Sequence, residues 1–175
     1  MKVIITGSAS GIGKALVEKF KDHQVVGYDI IDGNDITQDD VIIRLLDDCK
    51  DADVFINNAK PYQLIILSKV YNLWKDLPKT IVNISSACTY LYSEDNYPEY
   101  FDNYYKPKQD LNQTVKMLQT KSDLPHIINI RPSWVDTEAS AYHEGHKMQP
   151  ETLANMIYNS IQKTEGYQIL DIVVR

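Results

Sequence analysis

The first residues with an evident chemical use are glycines. Val3, Ile4 and Ile5 form an apolar run that breaks at Thr6-Gly7, and Gly11 and Gly13 follow before the stretch GKALVEKFKDH. Glycines in a strand-to-helix turn let backbone N–H groups approach a pyrophosphate, and the helix N-terminus faces its negative charge. Their spacing differs from G-x-G-x-x-G, so a strict search for that fingerprint misses the segment. Further on, QVVGYD ends in Asp29. A carboxylate there accepts hydrogen bonds from both hydroxyls of an adenosine ribose and repels a 2′-phosphate. No Arg or Lys follows it (Ile30, Ile31, Asp32), and Ser10 in the turn is not basic, so NAD is favoured over NADP. A third group lies in a tyrosine-rich stretch. Of Tyr90, Tyr92, Tyr97, Tyr100, Tyr104 and Tyr105, only Tyr104 has a lysine four positions on, Lys108. On a helix that spacing brings both side chains to one face.

The elements that would position these groups alternate strand and helix. Ile12, Ala15, Leu16 and Phe20 make the first helix amphipathic, and residues 24–29 read as the second strand. A short third strand is expected at Asp35-Ile36-Thr37, then a helix capped by Thr37 with Val41, Ile42, Leu45, Leu46 and Cys49 on its stripe. Residues 53–57, 79–86 and 126–132 read as further strands, and a helix from about Pro150 to Lys163 precedes the last one. The helix over 61–77, with Pro61 near its start, is apolar on more than one face. A helix covering one sheet face needs a single stripe, so the surplus suggests another subunit. Alternation of this kind implies right-handed parallel crossovers. The expected fold is α/β: one domain over 1–175, a doubly wound Rossmann sheet of about seven parallel strands with helices on both faces.

Several segments, in order, carry a resemblance that covers essentially the whole chain. The turn Thr6-Gly7…Gly11-Ile12-Gly13 resembles the T-G-x-x-x-G-x-G turn of the short-chain dehydrogenase/reductase family. Asp35-Ile36-Thr37 is similar to its adenine-contacting segment, and Asn57-Asn58-Ala59-Lys60 to its Asn-Asn-Ala-Gly turn. Ser85-Ser86 closes a strand as its catalytic serine does, Tyr104 and Lys108 match its Tyr-x-x-x-Lys, and Pro132 to Thr137 matches the segment that holds the nicotinamide carboxamide. The chain is similar to a shortened member. The resemblance implies Ser86, Tyr104 and Lys108 as catalytic residues. It implies cofactor contacts from Gly7, Ser8, Ser10, Gly11, Ile12 and Gly13, from Asp29, Ile30, Asp35 and Ile36, from Asn57, Asn58 and Ala59, from Tyr104 and Lys108, and from Pro132, Val135 and Thr137.

Departures accompany the matches. Lys60 replaces the glycine of the Asn turn, so either the chain turns away there or that edge of the pocket is altered. The loop and helix that relatives insert before the helix over 61–77 are absent, and the relay Asn has no assigned counterpart; Asn58 and Asn72 are candidates. Ser133 stands for a glycine, and 138–149 leaves little room for a substrate lid. Residues 89–102 are expected to bulge beside the site. Pro107 falls between Tyr104 and Lys108, which puts Tyr104 at or just before a helix start.

The implied reaction transfers a hydride between a nicotinamide cofactor and a small alcohol or carbonyl compound, with Tyr104 as general acid or base. A free phenol titrates near 10, and a lysine charge at about 4 Å, worth roughly 4 kcal/mol at an effective dielectric near 20, would bring it to about 7. Ser86 would hydrogen-bond the substrate oxygen. The alternative is a nucleotide-binding sensor or scaffold with little turnover. With 175 residues, 43% of them hydrophobic, the chain suffices for one core, and its net charge of −6 argues against nucleic acid as partner. LIILSKVYNLW is too interrupted to span a bilayer, no leader precedes the first strand, and Cys49 and Cys88 are too few for a disulfide framework. A cytoplasmic protein is expected, without a metal (His143 and His146 lack a third ligand nearby), and forming a homodimer or homotetramer through the helices over 61–77 and 107–121.

Overall fold

Residues one apart in the strands point to opposite faces, and in this chain both faces are apolar. Ile4, Phe55, Ile81 and Ile127 face one side, while Val3, Ile5, Val54, Ile56, Val82, Ile84, Ile128 and Ile130 face the other. Such strands belong in a parallel sheet covered by helices on both sides. The computed structural model, which describes residues 1–92, 102–162 and 167–175, has this form. Strands β1 (Lys2–Thr6), β2 (Gln24–Tyr28), β3 (Val54–Asn57), β4 (Thr80–Ile84), β5 (His126–Pro132) and β6 (Asp171–Val174) pair in the order β2-β1-β3-β4-β5-β6, every pair parallel. Helices α1 (Gly11–Lys19) and α6 (Pro150–Ile161) cover one face; α2 (Asp39–Cys49), α3 (Gln63–Trp74) and α5 (Asp102–Lys121) cover the other. A short α4 (Cys88–Leu91) follows β4. The strand order reverses between β1 and β3, which leaves a crevice at their carboxyl ends.

The sheet has six described strands rather than about seven. Asp35–Thr37 is a turn: Asp35 Oδ1 accepts from the Thr37 N–H at 2.9 Å, so a side chain supplies the bond that a neighbouring strand would have given. Thr37 does not cap α2 either; Gln38 precedes that helix, and the Thr37 hydroxyl accepts from Gln38 Nε2 instead. Pro61 lies outside α3, whose first residue is Gln63. Helix α5 is described from Asp102, ahead of Pro107, and carries that proline inside it. Tyr104 therefore sits within the helix. Most of the expected bulge over 89–102, with Tyr97 and Tyr100, lies outside the described residues, as does Lys163.

The surplus apolar surface of α3 is largely consumed inside the chain. Ile66, Leu67, Val70, Tyr71 and Trp74 are buried between the sheet, α2 and α5, and the Trp74 indole N–H donates to the Cys49 carbonyl at 2.8 Å. Only Leu64 and Ile65 on this helix are exposed apolar side chains. No helix among the described residues is long and apolar enough to cross a membrane.

A row of buried amides crosses the sheet at one register. Asn57, Asn83, Asn129 and Asp171 are successive partners on β3, β4, β5 and β6. Asn57 Nδ2 donates to Asn83 Oδ1 at 3.0 Å, Asn83 Nδ2 to Asn129 Oδ1 at 2.9 Å, and Asn129 Nδ2 to Asn112 Oδ1 on α5 at 3.0 Å. Most of these buried amide groups are paired (Asn57 Oδ1 is not), and this chain of bonds ties the strands beneath the crevice to α5.

Candidate active site

The glycine turn is held by backbone geometry and by Asn58. Gly7 and Gly11 take positive φ, 69° and 50°, which glycine alone adopts without cost. A Cβ on Gly13 would lie 1.7 Å from the Gly7 carbonyl oxygen, so α1 rests on the turn at a distance only glycine permits. Asn58 Nδ2 donates to the carbonyls of Thr6 (3.0 Å) and Gly7 (3.2 Å), and the Thr6 hydroxyl accepts from the N–H groups of Asn58 and Ala59. Asn58 thus braces the turn. The exposed start of α1 has no acidic residue in its first turn, and Ser10 gives it no side-chain cap. Its first amides are left for an anion.

Asp29 closes the next corner. One carboxylate oxygen accepts from the Ala9 N–H and the other from the Ile31 N–H, each at 3.0 Å. It thereby locks the glycine turn to the end of β2, and each oxygen keeps a second lone pair for a ligand. The Thr37 amide holds the Asp35 carboxyl below the usual carboxylate range.

A cleft of about 890 Å³ runs from Asp29 and Asp35 past Gly7–Ile12 to Ser86, Tyr104 and Lys108. Gly7, Ser10, Gly11, Ile12, Asp29, Ile30, Asp35, Ile36, Asn58, Ala59, Pro132, Val135 and Thr137 all line it. Ser8, Gly13 and Asn57 do not. Ser8 is buried with its hydroxyl where a Cβ on Gly27 would lie, Gly13 underlies the turn, and the Asn57 side chain is fully enclosed in the amide row.

Ser86, Tyr104 and Lys108 converge at the far end. The Ser86 hydroxyl accepts from the Cys88 N–H at 3.3 Å and shares a hydrogen bond with the Tyr104 phenol. Lys108 Nζ is buried and donates to Gln63 Oε1 at 2.6 Å and to the Ile84 carbonyl at 2.8 Å. Two expectations are corrected here. Burial pushes the Tyr104 phenol up, outweighing the lowering effect of the Ser86 bond, so it is not brought to about 7. Burial, with a lesser push from Lys60, takes Lys108 down to about 7. Lys108 Nζ lies 5.8 Å from the Tyr104 ring centre, and its hydrogen bonds point at amide oxygens, which explains why its charge does not acidify the phenol.

Gln63 was not foreseen. It opens α3, and its Nε2 donates to the carbonyls of Asn57 (2.8 Å) and Ile84 (2.9 Å) while its oxygen receives Lys108. A polar side chain at the head of the apolar run LIIL was the signal available in the sequence. Lys60, which stands in place of the turn's glycine, reaches the site, with its Nζ 4.2 Å from the centre of the Tyr104 ring. Trp134 forms a wall of the cleft, Tyr142 edge-on to it at 5.6 Å and His143 stacked on it at 4.1 Å.

No family model matches the chain, and no curated protein matches it in sequence. Solved structures do match its fold. A short-chain dehydrogenase from Burkholderia cenocepacia in complex with NADP superposes with a TM-score of 0.76 at 16% identity, over 98% of this chain and 87% of that one. An alcohol dehydrogenase from the archaeon Thermococcus sibiricus complexed with 5-hydroxy-NADP gives 0.77 at 14% identity, over 99% and 95%. A 4-hydroxyisoleucine dehydrogenase complexed with NADH gives 0.76 at 18% identity, over 99% and 97%. The fold is that of the short-chain dehydrogenases.

Proposed function

We propose that this chain is a short-chain dehydrogenase/reductase that binds NAD in the cleft and interconverts a small alcohol and its carbonyl compound. The convergence of Ser86, Tyr104 and Lys108 at the end of the cleft opposite Asp29 carries the reading. The residues present fit a dinucleotide. Gly7, Gly11 and Gly13 leave a cradle with no room for a side chain beneath it, and the uncapped start of α1 faces that cradle. Asp29 retains acceptor capacity for ribose hydroxyls, and its charge disfavours a 2′-phosphate, which supports NAD over NADP.

A bound nicotinamide would supply the hydride to the carbonyl carbon. Ser86 and the Tyr104 O–H would hold the carbonyl oxygen and stabilise the charge that grows on it. The phenol proton would complete the alcohol. A phenol pushed up by burial keeps that proton at neutral pH, where it can serve reduction, and alcohol oxidation, which needs the ionised form, gains toward alkaline pH. Gln63 and the Ile84 carbonyl fix the Lys108 ammonium beside the site. The homodimer or homotetramer remains part of the proposal, with Leu64, Ile65 and Met117 as exposed apolar side chains for a partner copy.

The same raised phenol favours a second reading, a nucleotide-binding sensor with little turnover. Carbonyl compounds screened with NADH on the wild type and on Tyr104→Phe separate the two. The enzyme reading predicts a loss of roughly 10²–10⁴ in kcat for Tyr104→Phe. Turnover unchanged by the substitution would sink the mechanism, and nucleotide binding without turnover would select the sensor.

A further inference from the structure

The catalytic end of the cleft holds a second lysine, Lys60, that the proposed proton transfer does not use. Lys108 is accounted for by Gln63 and Ile84. Lys60 has no comparable partner: among the described residues no carboxylate contributes to its charge state, and only burial and the Cys88 thiol do. Lysine normally buries its stem and leaves its ammonium in water. Here the residue as a whole is exposed, yet its ammonium leans over the Tyr104 ring, 4.2 Å from the centre. Desolvation lowers its basicity, and its charge in turn depresses that of Lys108. Glu138 lines the cleft but acts on neither lysine, and Asp29 and Asp35 are engaged at the other end. Two lysines in a partly dry site disfavour each other's charged form, and an anion beside Lys60 would offset that.

Building on the proposed reaction, we infer that Lys60 is a specificity residue that seats the carboxylate of a 2-oxo or 2-hydroxy acid with an apolar or aromatic side chain. The placement suits that class. With the substrate oxygen on Ser86 and Tyr104, an ammonium above the Tyr104 ring would meet a carboxylate bonded directly to the carbonyl carbon. The remainder of such a molecule would meet Trp134, Tyr142 and Leu91, which line the adjoining wall. The residue that interrupts the Asn-Asn-Ala turn thereby has a use, since a glycine there would offer no charge.

The test uses benzoylformate and its methyl ester, in which a methyl group replaces the negative charge, with NADH and the wild type, Lys60→Met and Lys60→Arg. Lys60→Met is expected to lower kcat/KM for the acid by about 10–100-fold, the range of a charged hydrogen bond. The loss should fall on KM, with the ester unchanged and Lys60→Arg close to the wild type. Benzoylformate binding to the NAD-loaded protein, followed by tryptophan fluorescence, should weaken in parallel. Equal losses for acid and ester would overturn the inference, because Lys60 would then act on Tyr104 itself. Weaker NADH affinity in Lys60→Met would also overturn it, by assigning the lysine to the cofactor phosphates. A wild type that binds NADH and reduces the ester but not the acid defeats this inference alone. One that binds neither NADH nor NADPH defeats the reading beneath it and the inference together.

Discussion

Tyr104 and Lys108 show what spacing reveals and what it hides. Four residues apart on α5, they reach one site, as their separation in the sequence indicated. Their protonation depends on partners that spacing does not name, because Gln63, Ile84 and Lys60 come from other segments. Burial disfavours the charged form of both groups, which raises the phenol and lowers the amine. A pH experiment follows. With Lys108 near 7 when folded and 10.5 when unfolded, the unfolded chain binds the extra proton between those values. Stability due to this group therefore rises with pH across that window and is least below it. Urea midpoints of the wild type should climb from pH 7 to 10 relative to those of Lys108→Met. Parallel midpoints would contradict the burial of that amine. Alcohol oxidation, which needs the ionised phenol, should accelerate toward alkaline pH, while the protonated fraction of Tyr104 leaves reduction unchanged around neutrality.

At the scale of elements, the strands were legible because their β-branched runs are bounded by turns and buried on both faces. Asp35–Thr37 was misread because a strand and an Asp-led turn look alike over three residues, and the bond from Thr37 N–H to Asp35 decides between them. The asparagines within VFIN, IVNI and IINI stood in plain view, but the amide row follows only once the register is known. Asn83→Ala should cost about 1–3 kcal/mol for each amide left unpaired. Chemical denaturation would read this, and a loss under half a kcal/mol would show that the row contributes little. Gly13→Ala drives a methyl into the Gly7 carbonyl. It should lower stability by about 1–3 kcal/mol, as overpacking does, and abolish nucleotide binding in a titration that the wild type passes.

For the whole molecule, the six-stranded order places the glycine turn, Asp29 and the Ser86–Tyr104–Lys108 group along one cleft at the carboxyl ends of the strands. A ligand spanning that cleft braces elements from both halves of the sheet. Saturation at about a hundred times Kd should add roughly 2.7 kcal/mol of stability. The most direct measurement is an equilibrium titration of the protein with NADH and NADPH, followed by nicotinamide fluorescence. Saturable binding of both, with NADH the tighter and Asp29→Ala removing the difference, is the predicted result. Absence of saturable binding by either nucleotide would contradict the account.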